Sequence, residues 1–283
     1  MKCKLVDVFA KEKLTGNGLT IFYDYERLDS NEMLSLAQEM RQFESIFVLN
    51  SDSNTSFKAR IFTTEEELDF AGHPIIGLAA HLHEESGSIE PKEWVIELNK
   101  SSVSVMTKKT AQYFHASMAQ GSPEFIYTLN KDEVTSILSA LNLTSSHLSH
   151  YPLEVISTGL PYLIVPIIGG IENASISVDD FEILLTRFGA KFVYVLDVIN
   201  FEGRTWDNKG LVEDIATGSA AGPAAAFLTK HQLAADNSNI IISQGRFLGR
   251  ESEIETYVEA VEGNISNIWV SGDVVKVANI SFV

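Results

Sequence analysis

The chain predicts an α+β protein of two pseudo-symmetric domains, each a curved, mixed or antiparallel sheet wrapped around a central Ala-rich helix. Three observations lead there. Short strand-like runs outnumber helical ones along the 283 residues. Two Ala-rich helical segments, in "GHPIIGLAAHL" from Gly72 and "GSAAGPAAAFL" from Gly218, stand at matching places in the two halves. Small residues on every face let a sheet close tightly on a helix.

In the first half, Lys2–Ala10 is an apolar-rich strand, and Gly16–Asp24 is a turn followed by a second strand. A helix follows, capped by Asp29 or Ser30, with Met33, Leu36, Ala37 and Met40 as its apolar stripe. Glu44–Asn50 and Phe57–Thr64 read as strands, Pro74–His83 as the first Ala-rich helix, and Glu93–Asn99, Ser102–Thr107 and Gln112–Met118 as three more strands. A Gly-Ser-Pro break at Gly121–Pro123 divides the chain into expected domains at 1–120 and 121–283, with a last strand that can cross back. Beyond it, Asn130 and Glu133 form a capping box ahead of a helix carrying Val134, Ile137, Leu138 and Leu141. Gly159–Ile167 and Lys191–Asp197 are strands. Between them, Asp179 and Glu182 form a second expected capping box, and Gly189 suits a left-handed helix end. The second Ala-rich helix begins near Ser219, and the remaining tail is strand material.

The halves repeat in their spacings. Asp69 and Gly77 are eight apart, as are Asp214 and Gly222, and Ala79-Ala80 aligns with Ala224-Ala225. Arg60 and Arg204 stand nine and ten residues before the two aspartates. The period is too long for a solenoid repeat.

Composition narrows the function. With 38 acidic against 21 basic residues the net charge is −17, and no basic cluster is present, which argues against nucleic acid and anionic membranes as partners. The N-terminus lacks a signal-peptide apolar core, and no apolar run is long enough to span a bilayer, so a cytoplasmic location is expected. Cys3 is the only cysteine, so no intrachain disulfide forms.

A helix N-terminus exposes unpaired N–H groups and carries positive potential. Gly72-His73 and Gly218-Ser219 therefore offer backbone donors to a carboxylate or a developing oxyanion, on the expectation that both helix starts face one cleft. Pro74 suits a first helical turn. Glu44 stands between Phe43 and the apolar Ile46, Phe47 and Val48, and a carboxylate against an apolar wall is suited to carry a proton near neutral pH. Its slot in the second half falls near Gly189 or Ala190, so this acid is not part of the shared scaffold. The pairs His81-x-His83 and His147-x-x-His150 lack a third ligand at metal-binding spacing. The glycine spacing around Ser219 is wrong for a nucleophile elbow, and no dinucleotide or phosphate loop is present.

Taken together, "ESIFVLN", "DFAGHPIIGLAAHL", "STGLPYLIVP", "EDIATGSAAGPAAAFL" and "SQGRFLGRESEI" resemble the PhzF-like phenazine-biosynthesis family, in order and over nearly the whole chain. The resemblance implies the diaminopimelate-epimerase fold, a homodimer, no cofactor and no metal. It also implies a small carboxylic acid substrate in which a single acid/base moves a proton between carbons. It makes Glu44 the catalytic glutamate, His73 and Asp214 the groups that orient and polarise substrate, and Gly72, Gly218 and Ser219 the carboxylate-binding helix starts. A two-cysteine racemase is excluded, because the resembling positions are Ala71 and Ala216. Three departures stand out: Gly16-Asn17-Gly18 where the family usually has Gly-Asn-Pro, Ile215 where proline is common, and Pro223 within the second Ala-rich helix. The rival reading is a catalytically silent binding or scaffold protein of the same fold.

Overall fold

The computed structural model describes residues 1–49 and 53–282, so Asn50, the expected end of the third strand, lies outside the described residues. The described chain is mixed α+β, dominated by strands and with few helices. It divides into two compact units. The first is formed by 1–119, 249–253 and 271–283, and the second by 120–248 and 254–270.

The first unit contains β1 (Lys2–Val8), β2 (Asn17–Tyr23), α1 (Ser30–Met40), β3 (Glu44–Val48), β4 (Ser56–Phe62), β5 (Glu67–Leu68), α2 (Gly72–Ser86), β6 (Lys92–Glu97), β7 (Ser102–Lys109) and most of β8 (Phe114–Gly121). Asp29 caps α1 with a full capping box, its side chain accepting from Asn31 and Glu32 while Glu32 answers to the Asp29 N–H. Met33 and Ala37 bury the expected stripe against Cys3, Phe22, Phe47 and Phe62. There Phe22 and Phe47 stack with ring centroids 4.5 Å apart.

The second unit contains β9 (Glu124–Thr128), α3 (Lys131–Ala140), β10 (Glu154–Ser157), β11 (Pro161–Ile167), α4 (Phe181–Thr186), β12 (Phe192–Asp197), β13 (Glu202–Arg204), α5 (Gly218–Lys230), β14 (Asn239–Gln244) and most of β15 (Ser252–Val261). The last strand, β16 (Asn264–Ser281), belongs to this unit up to Val270 and to the first from Ser271, where it pairs antiparallel with β1. Asn130 and Glu133 form the expected capping box on α3. Asp179 and Glu182 do not: α4 starts after Asp180, whose side chain makes no cap bond, and six helical residues held by buried Phe181 and Leu185 do without one. Gly189 has the expected positive φ of 78°. Strand β9, directly after the Gly-Ser-Pro break, had no counterpart in the sequence reading, because all five of its residues are exposed and show no alternation.

Both units use one pairing pattern. In the first, β1–β2 is antiparallel, β2–β3 parallel, β3–β4 antiparallel and β4–β6 parallel. In the second, β10–β11, β11–β12, β12–β13 and β13–β14 repeat that order. The registers align residue by residue. Lys4 opposite Ile21 corresponds to Glu154 opposite Ile164, and Leu19 opposite Glu44 corresponds to Tyr162 opposite Phe192. The two arginines of the sequence repeat, Arg60 and Arg204, also coincide. Each forms a two-pronged ion pair, Arg60 with Glu67 at 2.8 and 2.6 Å and Arg204 with Glu213 at 2.8 and 2.7 Å.

The Ala-rich helices are buried along nearly their whole length. Helix α2 packs against β1, β2, β3, β6 and β7, and α5 against β10, β11 and β12. At the equivalent Gly77 and Gly222 there is no room for a side chain. A Cβ would stand 2.4 Å from Leu19 Cδ2 in one case and 2.0 Å from Gln120 Oε1 in the other. Pro223 is the sixth residue of α5, beyond the first turn, so its missing N–H leaves the Ser219 carbonyl without its helical donor. Pro74 is the third residue of α2 and removes a donor the helix would not have used.

Candidate active site

The first unit brings Glu44 and His73 together. Glu44 opens β3, where parallel pairing sets it beside Leu19 of β2. His73 is the second residue of α2. Both side chains are buried, with His73 Nε2 3.3 Å from Glu44 Oε2, in contact but not aligned as a hydrogen bond. On the far edge of the ring, Asn17 Nδ2 lies 3.5 Å from His73 Nδ1. With the Asn17 amide in this orientation its N–H meets Nδ1, which leaves the imidazole proton to Nε2, the nitrogen that faces Glu44. Burial holds the His73 pKa down to about 3, so the ring is uncharged across the neutral range. Gly72 stands beside it as the first helical residue, behind Ala71 in extended conformation with no side-chain cap.

Asn17 stands in the Gly16-Asn17-Gly18 turn, noted in the sequence only as a departure from the family pattern and given no site role. It is placed by the turn before β2: Gly16 has φ +62°, and a Cβ there would lie 2.4 Å from the Val8 carbonyl oxygen. Arg250 fastens this turn, donating to the Gly16 carbonyl at 2.9 Å and to Asp7 at 2.7 Å.

The second unit carries a different polar group. Asp214 is buried on the approach to α5 and accepts a hydrogen bond of 2.5 Å from the Thr217 hydroxyl. Gln244, also buried, donates to the Asp214 carbonyl at 2.8 Å and to Thr217 Oγ1 at 2.9 Å. Ser219, the second residue of α5, exchanges a hydrogen bond of 2.8 Å with the Tyr162 hydroxyl, and Gln120 donates to the Gly218 carbonyl at 2.9 Å. Gln244 carries part of the family resemblance, in "SQGRFLGRESEI", but has no site role there, although a second signal existed. It follows Ile240 and Ile242 at period 2 on β14, so a polar residue occupies an inward slot.

Neither group has a copy in the other half. By register, Glu44 corresponds to Phe192, not to Gly189 or Ala190 as the sequence spacing put it. Asp69, the sequence counterpart of Asp214, is exposed and paired with Lys100 at 2.8 Å.

Comparison with known proteins places the chain. The profile of the family described as phenazine biosynthesis-like protein matches residues 6–279. This chain belongs to that family. It is 31% identical over 281 residues to trans-2,3-dihydro-3-hydroxyanthranilate isomerase of Pseudomonas aeruginosa, covering 95% of this chain and 94% of the relative. The solved structure of a predicted epimerase from Pseudomonas aeruginosa is similar at TM-score 0.94 and 43% identity, over 100% of this chain and 99% of that one. A hydroxyproline epimerase from Agrobacterium vitis shares the fold, with TM-score 0.62 and 10% identity over 99% and 91% of the two chains. The curated relatives of this family are named isomerases, and the chain is an enzyme of that class. No helix among the described residues is long and apolar enough to cross a membrane.

Proposed function

We propose that this family member is a cofactor-independent isomerase that moves a proton between carbons of a small carboxylic acid, with Glu44 as its single acid/base. We further take the two units as the two epimerase-like domains, each sheet curved around its Ala-rich helix. The observation that carries the reading is the contact of 3.3 Å between buried Glu44 and an uncharged imidazole, at a slot the other half fills with Phe192.

A two-base mechanism sets one acid/base on each face of the carbon, and this chain has no matched pair. By the resemblance to the family, Ala71 and Ala216 stand where the cysteines of such a mechanism would be. Cys3 is enclosed in the hydrophobic core of the first unit, and burial pushes its thiol up to about 12. One carboxylate then takes the proton from one carbon and returns it to another. A neutral His73 can donate from Nε2 to a substrate oxygen or to Glu44 without adding positive charge. On the second unit, Asp214 meets a polar substrate group. Gly72, Gly218 and Ser219 supply amide N–H and hydroxyl donors to a carboxylate.

The test uses trans-2,3-dihydro-3-hydroxyanthranilate, for which the relative is named, in heavy water. The wild-type protein incorporates deuterium into the isomerised product. Glu44→Gln lowers the rate by about 100-fold or more, the range general acid–base groups contribute. Undiminished turnover by Glu44→Gln, with wild-type thermal stability, rules the assignment out.

A further inference from the structure

The hydrogen bonds that link Gln244, Thr217 and Asp214 run in only one direction. Gln244 Nε2 faces the Asp214 carbonyl oxygen at 2.8 Å, and Gln244 Oε1 faces the Thr217 N–H at 3.2 Å. Those backbone groups have fixed polarity, so the amide cannot be turned around. The buried Tyr194 hydroxyl adds a second donor to Oε1 at 3.1 Å. Its ring lies over Gly203, where any Cβ would come within 2.0 Å of the tyrosine oxygen. Gln244 Nε2 must therefore donate to Thr217 Oγ1 at 2.9 Å. A hydroxyl that accepts there has one proton to give, and it goes to Asp214 Oδ2 at 2.5 Å.

We propose that Thr217 and Gln244 are positioning residues that act in series to hold Asp214 as a carboxylate acceptor. The inference rests on the role given to Asp214 above. Under it, a ligand group that meets Asp214 must be a donor, an amine, ammonium or hydroxyl.

The repeat supplies independent support. By register the first half has Ile46 for Tyr194 and Leu98 for Gln244, Ala71 fills the helix N-cap position that Thr217 fills on α5, and Asp69 is exposed on the surface. The same strand and helix scaffold is thus built without the relay. Four polar groups that the fold does not require are buried together only where the aspartate is buried.

The experiment follows the Asp214 side-chain carbon by NMR in protein labelled at the aspartate carboxyl, with the resonance assigned by its loss in Asp214→Asn. Removing a donor to the ionised form favours the protonated one. Thr217→Val should therefore move the Asp214 titration to higher pH by about one unit or more, and Thr217→Ser should leave it at the wild-type position. Gln244→Leu, which frees the Thr217 hydroxyl to rotate, should move it in the same direction and serves if the valine variant does not fold. An unchanged titration in Thr217→Val or Gln244→Leu overturns the proposal, as does a serine variant that shifts as far as valine. Turnover of trans-2,3-dihydro-3-hydroxyanthranilate separates the two levels. If Asp214→Asn keeps full activity, the role of Asp214 falls and the functional part of the proposal with it. If Asp214→Asn is inactive while the titrations do not move, only the relay is wrong.

Discussion

Three histidines of α2 are buried, and burial lowers the pKa of each, which gives the fold an acid response at the scale of single residues. Burial lowers His73 to about 3, and burial followed by the nearby Lys4 charge lowers His81 to about 3. The unfolded chain binds these protons near pH 6.5, where the folded chain does not. Stability that is fully present above about pH 6.5 is therefore lost as pH falls toward 3, at up to about 1.4 kcal/mol per pH unit for each histidine. His81 is distant from Glu44 in its contacts, its ring packed at a tilt against Tyr23 with centroids 4.5 Å apart. His81→Leu should thus flatten the fall in melting temperature between pH 6.5 and 4 while leaving turnover intact. A melting curve series as steep as wild type would show that His81 is not protonated on unfolding in this window.

Residue-scale legibility was uneven. Glu44 was readable because a carboxylate interrupts an apolar run. Its contact with His73, 29 positions away, depends on β2 and β3 pairing in parallel beneath the start of α2. Asp69 and Asp214 occupy equivalent sequence positions, yet one is exposed beside Lys100 and the other is enclosed by Thr217 and Gln244. Spacing reports equivalence of backbone, and burial depends on which side chains arrive from distant strands.

At the scale of elements, the apolar stripes of α1 and α3 and the capping box of α3 were legible because they rest on contacts within a few residues, while the α1 cap stood open between Asp29 and Ser30 until the structure placed it at Asp29. Gly77 shows the opposite dependence. In an isolated helix, alanine would be favoured over glycine by about 1 kcal/mol. In α2 the added methyl would stand 2.4 Å from Leu19 Cδ2 and 3.1 Å from Val8 Cγ2, both fully buried on strands. Overpacking of this kind typically costs about 1–3 kcal/mol. Gly77→Ala should therefore lower stability by up to about 2 kcal/mol net, read from the urea midpoint at unchanged m-value. A stabilised variant would mean the helix can move away from β1 and β2.

The whole molecule carries two copies of one scaffold, and the copies are locked with opposite charge. In the first unit, buried Lys4 on β1 reaches Glu84 at 2.6 Å and Glu85 at 3.1 Å at the end of α2. In the second, buried Glu154, at the position equivalent to Lys4, reaches Lys230 at 2.7 Å and His231 at 2.8 Å at the end of α5. Burial alone would raise the Glu154 carboxyl, but hydrogen bonds from Lys230 and His231 outweigh it and hold the group below its ordinary value. The helix dipole favours cations at a C-terminus and so assists α5 but opposes α2, which makes Lys4 the more critical partner. Lys4→Glu should cost about 3 kcal/mol or more, as for a broken buried pair. Adding Glu84→Lys and Glu85→Lys should recover much of the loss in denaturant titrations. A triple variant no more stable than the single one would show that the ion pair is incidental. The inversion also opposes misdocking, since α2 laid on the second sheet would bring Glu84 and Glu85 against Glu154.

By itself the amino-acid sequence determined the local order: the capped start of α3, which stripes are apolar, that a scaffold occurs twice, and that strong acidity disfavours nucleic acid. Those properties are set by side-chain period and turn chemistry over a few residues. Only the tertiary structure decided that His73 lies against Glu44, that Gln244 orients Thr217 toward Asp214, and that a lysine and a glutamate are buried at matching points. Each of these is a contact between strands and helices far apart in the chain. Its existence depends on pairing register and on the loss of water around the groups, neither of which is carried by neighbouring residues.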